Sequence, residues 1–133
     1  MLGRMFLGLR TVIYPALDLP ASKAWFTALL GREPYFDQPF YVGYEVGGYE
    51  LGLNPDADVA DGAVTYWGVP DADVAFAALL AAGAVQHSAV TEVGEGIRVG
   101  EVREAGGSVL GIIENPHFKA GASPPLVGEG PGR

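Results

Sequence analysis

The chemistry open to this chain is bounded first by what it lacks. None of its 133 residues is cysteine, which excludes disulfides, thiolate nucleophiles and zinc–thiolate sites. Its two histidines, His87 and His117, stand 30 residues apart and match no local metal-binding motif, though either could join Glu50 in a site of its own. His117 follows Pro116 and is expected to be exposed. There is no Gly-x-Ser-x-Gly elbow and no evident serine–histidine pair, so nucleophilic catalysis is unsupported. Gly94-Glu95-Gly96 reads as a tight turn without the lysine and helix start of a phosphate-binding loop. Carboxylate, tyrosine and arginine chemistry remains.

The acids are unevenly placed. Asp and Glu number 16 against 8 Lys and Arg, for a net charge of −8. Between Glu33 and Ile97 there is no Lys or Arg, while the same stretch carries Glu33, Asp37, Glu45, Glu50, Asp56, Asp58, Asp61, Asp71, Asp73, Glu92 and Glu95. These acids either solvate loops and caps or form an acidic surface that draws a cationic ligand. Phosphate-rich partners are repelled, so neither nucleic acid nor an anionic membrane is expected. No apolar run approaches the roughly 20 residues of a membrane helix. Residues 1–10 have neither the apolar core nor the cleavage site of a signal peptide, so the expectation is a cytoplasmic protein.

Two sets of elements must position these groups. Leu9 to Ala16 is β-branched and aromatic and reads as a strand. Asp18 is a helix N-cap candidate with Pro20 in the first turn, and Trp25, Phe26, Leu29 and Leu30 recur at helical spacing until Gly31. A short strand at Tyr35-Phe36 and a hairpin of Phe40–Val46 and Tyr49–Leu53 around Gly47-Gly48 follow. An acidic loop runs to Gly62. Then the pattern restarts. Ala63 to Val69 is a strand, Asp71 an N-cap candidate, and Phe76, Leu79 and Leu80 share a helical face before Gly83. Val85–Val93 is a strand, and Ile97–Arg103 with Ser108–Glu114 forms a second hairpin around Gly106-Gly107.

The chain therefore reads as a duplicated β-α-β-β-β unit, about residues 9–55 and 63–116, within one domain over residues 1–118. GGYELGLNP at Gly47–Pro55 is echoed by GGSVLGIIENP at Gly106–Pro116. Residues 119–133 are rich in Gly and Pro and are expected to form a flexible tail. One helix covers one face of each sheet, so the other face must be buried by the second unit, a partner chain or a ligand. Two copies side by side leave a concave cup.

This layout, with DLPASKAWFTALLG, PDADVAFAALLAAGA and GGSVLGIIENPHF at their places, resembles the vicinal oxygen chelate superfamily of glyoxalase I, bleomycin-resistance proteins and extradiol dioxygenases. The resemblance covers about Leu9 to Phe118. It implies an α+β fold of tandem βαβββ units forming an open, barrel-like cup, often completed across a homodimer. Metal-dependent members hold a divalent ion on strands one, four, five and eight of the cup. Those positions map onto Thr11, then Glu50 or Gly52, then Val64 and Gly111. Glu50 follows from the family's Glu-Leu motif, and Gly52 from the internal repeat. At most one of the four is a good ligand, so no metal and no cofactor are expected.

Side chains alternate across a strand, so if Thr11 faces the cup, so do Ile13 and Pro15, while Val12, Tyr14 and Ala16 face the helix. Likewise Val64, Tyr66 and Gly68 share a face, as do Val109, Gly111 and Ile113. The expected cup is mostly apolar, with Thr11, Glu50 and Tyr66 as its polar points and Ile13 and Gly111 also lining it. Glu50 is the candidate catalytic residue, a general base, and equally an anchor for a cationic ligand. Arg98 and Arg103 could each pair with an acid or stand exposed. Tyr41, Tyr44, Tyr49, Phe36 and Phe40 pack a core or a dimer, or stack on a flat ligand. Three functions compete. The first is a metal-free small-molecule-binding module for a cationic or aromatic ligand. The second is a glyoxalase-like lyase, isomerase or dioxygenase-type enzyme with an altered site. The third is a structural dimer with an empty cup.

Overall fold

A computed structural model describes residues 5–118. The expected tail at 119–133 lies outside the described residues. The chain divides into two compact units, one of residues 11–63 and one of residues 64–118 together with 5–10.

In the first unit, strand β1 (Gly8–Pro15) leads into helix α1 (Leu19–Leu30), then β2 (Phe36–Gln38), β3 (Tyr41–Val46) and β4 (Tyr49–Asn54). The strand order is β2-β3-β4-β1, with β1 parallel to β4 and the other pairs antiparallel. α1 starts where the Asp18 carboxylate accepts from the Ala21 N–H at 3.1 Å, with a proline in the first turn, and it ends at Gly31, whose φ of 68° needs no Cβ. Gly47 and Gly48, at φ 61° and 90°, close the β3–β4 hairpin as its twist requires. The helix lies on the face carrying Ala16, Val42, Tyr44 and Leu53, which form a core with Leu19. Tyr44 is fully buried there, its hydroxyl 2.8 Å from Thr27 Oγ1 and 3.0 Å from the Lys23 carbonyl, to which it donates. A buried phenol needs such partners.

The second unit repeats this plan with β5 (Val64–Gly68), α2 (Ala72–Ala81), β6 (Val85–Gly94), β7 (Ile97–Arg103) and β8 (Val109–Glu114), in the order β5-β8-β7-β6. β5 is parallel to β8, as β1 is to β4. Asp71 caps α2 through the Val74 N–H at 3.1 Å, and the Glu114 carboxylate accepts from the Ala72 N–H at 2.9 Å. Arg98 forks onto Asp73 at 2.7 and 3.1 Å, which ties β7 to the first turn of α2. The core is Val69, Ala72, Ala75, Phe76, Val102 and Ile112. The fold is α+β, with two βαβββ units, as the sequence repeat implies.

Three local expectations shift. The short strand runs Phe36–Gln38, because Phe36 is the first residue to pair with β3, opposite Gly43. The β7–β8 connection is wider than a Gly-Gly turn: Glu104 N–H donates to the Ser108 carbonyl, and only Gly107 of the two glycines is left-handed, at φ 95°. The acidic loop contains one 3₁₀ turn at Val59–Asp61, capped by Asp58.

Candidate functional site

The sheet face away from each helix carries the candidate groups. In the first unit Thr11 stands opposite Glu50 in the parallel β1–β4 register. Thr11, only 6% exposed, donates its hydroxyl to Glu50 Oε1 at 3.0 Å. The Tyr35 hydroxyl donates to Glu50 Oε2 at 2.6 Å. One donor on each oxygen fixes the plane of the carboxylate, and each oxygen retains a further lone pair.

Glycines make this arrangement possible. A Cβ on Gly43 would stand 2.8 Å from Glu50 Oε2 and 3.1 Å from the Tyr35 ring, and one on Gly52 would overlap the Tyr41 hydroxyl. The Tyr41 side chain thus lies across Gly52, itself opposite Ile13. Phe36, paired with Gly43, shares this face and packs its ring 6.1 Å from Tyr41 and 6.0 Å from Phe40. Tyr35 and Phe40 are more than half exposed. Glu50 therefore sits among aromatic side chains.

The second unit gathers a different set. Tyr66 is opposite Gly111, and Gly111 is opposite Glu101 on its other side. A Cβ on Gly111 would come within 2.5 Å of the Tyr66 ring, so the ring lies flat over the glycine. The Tyr66 hydroxyl donates to Glu101 Oε2, and His87 Nε2 is 3.6 Å from Glu101 Oε1. Burial first, and then the hydrogen bond and charge of Glu101, push the Tyr66 phenol well above its ordinary range, so it acts as a donor. Over Gly68 lies the Arg10 guanidinium, stacked on the Phe118 ring at 3.7 Å.

The candidate residues from the sequence thus fall into two sets. Thr11, Ile13 and Glu50 come together in the first unit, and Tyr66 and Gly111 in the second. Tyr44 belongs to the helix-side core, apart from Tyr41, Phe36 and Phe40. His117 is exposed, with its ring 2.8 Å from the Glu95 carbonyl. Sequence reasoning missed Tyr35 and Glu101. The alternation of β7 could have found Glu101, since it is out of phase with the core residue Val102.

The register also separates the two alternatives for the fourth strand. Thr11 meets Glu50, while Gly52 meets Ile13 as Gly111 meets Tyr66. Gly52 and Gly111 are therefore the repeat-equivalent pair, and the equivalent of Glu50 is Val109, which is buried. The residues present do not fit a divalent ion. Val64, Val109 and Gly111 offer no side-chain lone pair, and the Thr11 hydroxyl is spent on Glu50, which leaves a single carboxylate. Among the described residues no three His, Asp or Glu side chains are grouped to hold a metal, and no helix is long and apolar enough to cross a membrane.

Two βαβββ units, each with its first and last strands paired parallel and its other strand pairs antiparallel, are a glyoxalase-like fold. The chain is similar to a glyoxalase/bleomycin resistance protein/dioxygenase superfamily member from Vibrio splendidus, at 17% identity over 80% of this chain and 97% of that one, with a TM-score of 0.61. It is similar also to a methylmalonyl-CoA epimerase from Streptomyces coelicolor, at 16% identity over 86% and 98%, with a TM-score of 0.69. A structure described as an NAD-dependent benzaldehyde dehydrogenase from Legionella pneumophila matches at 15% identity over 78% and 96%, with a TM-score of 0.64. The sequence matches no family profile and no curated protein. At these identities the likeness establishes the fold, and the reaction or ligand must be argued from this chain's own residues.

Proposed function

We propose that this chain is a small-molecule-binding module of the glyoxalase and bleomycin-resistance type that works without a metal. Glu50 anchors a ligand bearing a cationic group on an aromatic or apolar body. The observation that carries this reading is the Glu50 carboxylate, oriented by Thr11 and Tyr35 and bordered by Phe36 and Tyr41. A carboxylate supplies the countercharge, and ring faces supply cation–π and stacking contacts. The acid excess helps, with fifteen acids against five bases between Leu9 and Phe118. Thr11 and Ile13 accompany Glu50 in the first unit, and Tyr66 and Gly111 form a separate set in the second. The proposed assembly is a homodimer in the cytoplasm, with no cofactor.

A thermal-shift series with benzyltrimethylammonium, benzyl alcohol and benzoate tests this. Stabilisation by the cation alone, lost in Glu50→Gln, is the expected result. No stabilisation by any of the three overturns the proposal in favour of a structural role. Equal stabilisation of wild type and Glu50→Gln removes Glu50 from it. Turnover of a thiohemiacetal or an acyl-CoA epimer that vanishes in Glu50→Gln would instead make Glu50 a base, as in the enzyme reading.

A further inference from the structure

Two carboxylates stand opposite each other across β3 and β4 in the first unit. Glu45 is taken by Arg32 and by the Gly48 N–H. Glu50 is held instead by two hydroxyls, Thr11 on Oε1 at 3.0 Å and Tyr35 on Oε2 at 2.6 Å. Neither of these donors carries a charge, so the carboxylate is oriented by neutral groups.

Aromatic rings converge on the same point. Where a Gly43 Cβ would stand, Glu50 Oε2 is 2.8 Å away, the Tyr35 ring 3.1 Å and the Tyr41 ring 3.3 Å. Phe36 is tilted at 56° to Tyr41, and Phe40 stands at 67° to Phe36, so these rings do not stack face to face. Tyr35 is 63% exposed, Phe40 61% and Phe36 38%, which leaves ring surface open to a ligand. An oriented carboxylate bordered by such rings has the makeup of a cage for an ammonium group.

The hydroxyls decide which ammonium. A primary ammonium carries three N–H donors, and ring faces are weak acceptors. With one lone pair on each Glu50 oxygen already used, the carboxylate can satisfy at most two of them. At least one N–H is then desolvated against carbon, at a cost in affinity. A quaternary nitrogen has no N–H to satisfy, and it spreads its charge over methyl groups that rest on ring faces.

We propose that the Glu50 site selects a quaternary ammonium over a primary one, and that the Tyr35 hydroxyl sets this preference by occupying Oε2. Tyr35 is thus a specificity-determining residue. The inference rests on the cation-binding reading of Glu50 and adds to it the class of the cation.

Nuclear magnetic resonance titration with benzylammonium, benzyldimethylammonium and benzyltrimethylammonium tests it, since the series removes N–H donors stepwise from a constant body. Wild type is expected to bind the trimethyl ion at least about 10-fold more tightly than benzylammonium, the factor that one unsatisfied donor costs. Tyr35→Phe keeps the ring and frees Oε2. It is expected to cut that ratio at least about threefold, through tighter binding of benzylammonium. Methyl burial is the same in wild type and Tyr35→Phe, so it does not enter the change. A merely structural hydroxyl would weaken all three ions alike and leave the ratio where it was. Benzylammonium bound as tightly as benzyltrimethylammonium, or a ratio unchanged in Tyr35→Phe, overturns the selection while leaving Glu50 a cation site. No binding of any of the three overturns the cation-site reading itself, and the inference with it.

Discussion

Glu45 and Glu50 stand directly opposite each other in the antiparallel β3–β4 pair, yet their carboxylates are drawn to different partners. Glu50 is held by Thr11 and Tyr35, while Glu45 accepts from Arg32 Nη1 at 3.1 Å and from the Gly48 N–H at 2.6 Å. Opposed like charges on a sheet destabilise it. A fold with no use for Glu50 would gain by neutralising it. Glu50→Gln is therefore expected to be as stable as wild type or more so, by up to about 1 kcal/mol, in urea denaturation. A loss well beyond that would make Glu50 a structural residue.

Gly111 is required by the ring above it. Gly111→Ala places a methyl against the buried Tyr66 ring, which lies over Gly111 with its hydroxyl bound to Glu101. Overpacking of this kind costs about 1–3 kcal/mol. The Gly111→Ala/Tyr66→Leu double variant should recover part of the loss, read as a non-additive cycle.

On the helix side, Tyr44→Phe keeps the packing and removes a hydroxyl that serves both Thr27 and the Lys23 carbonyl in a fully buried position. The expected loss is about 1–3 kcal/mol, from the unsatisfied partners left behind. Tyr41→Phe, on the opposite face, should cost less.

Stability should fall at alkaline pH, and Tyr66 should carry part of the fall. Its phenol is raised in the folded chain, by burial and by Glu101, above the value near 10 that it has unfolded. Above about pH 10 the unfolded chain releases a proton that the folded chain keeps, so stability decreases as pH rises. It is fully present below that value. One such group contributes up to about 1.4 kcal/mol per pH unit. Tyr66→Phe should show a shallower decline between about pH 9 and 11 than wild type.

Local signals in the sequence located the caps at Asp18 and Asp71, the Gly47-Gly48 turn, the repeat, and which residues of β1, β5 and β8 share a face. Each depends on residues close in the chain or on the twofold period of a strand. The partners of Glu50 and Tyr66 depend on register and on loop geometry. Tyr35 reaches Glu50 because its N–H bonds to the Gly43 carbonyl and its ring passes over Gly43, which has no side chain. Glu101 reaches Tyr66 because Gly111, standing between them, has no side chain. Neither relation has a signature in spacing. The β1–β4 register that sets Thr11 opposite Glu50 and Ile13 opposite Gly52 likewise has no signature in spacing.

The account rests on a fold retained without the donor atoms of an ion site. Elemental analysis of protein purified without chelators, in wild type and Glu50→Ala, tests it most directly. The expected result is far less than one divalent ion per chain in both. About one transition-metal ion per wild-type chain, absent from Glu50→Ala, would contradict it.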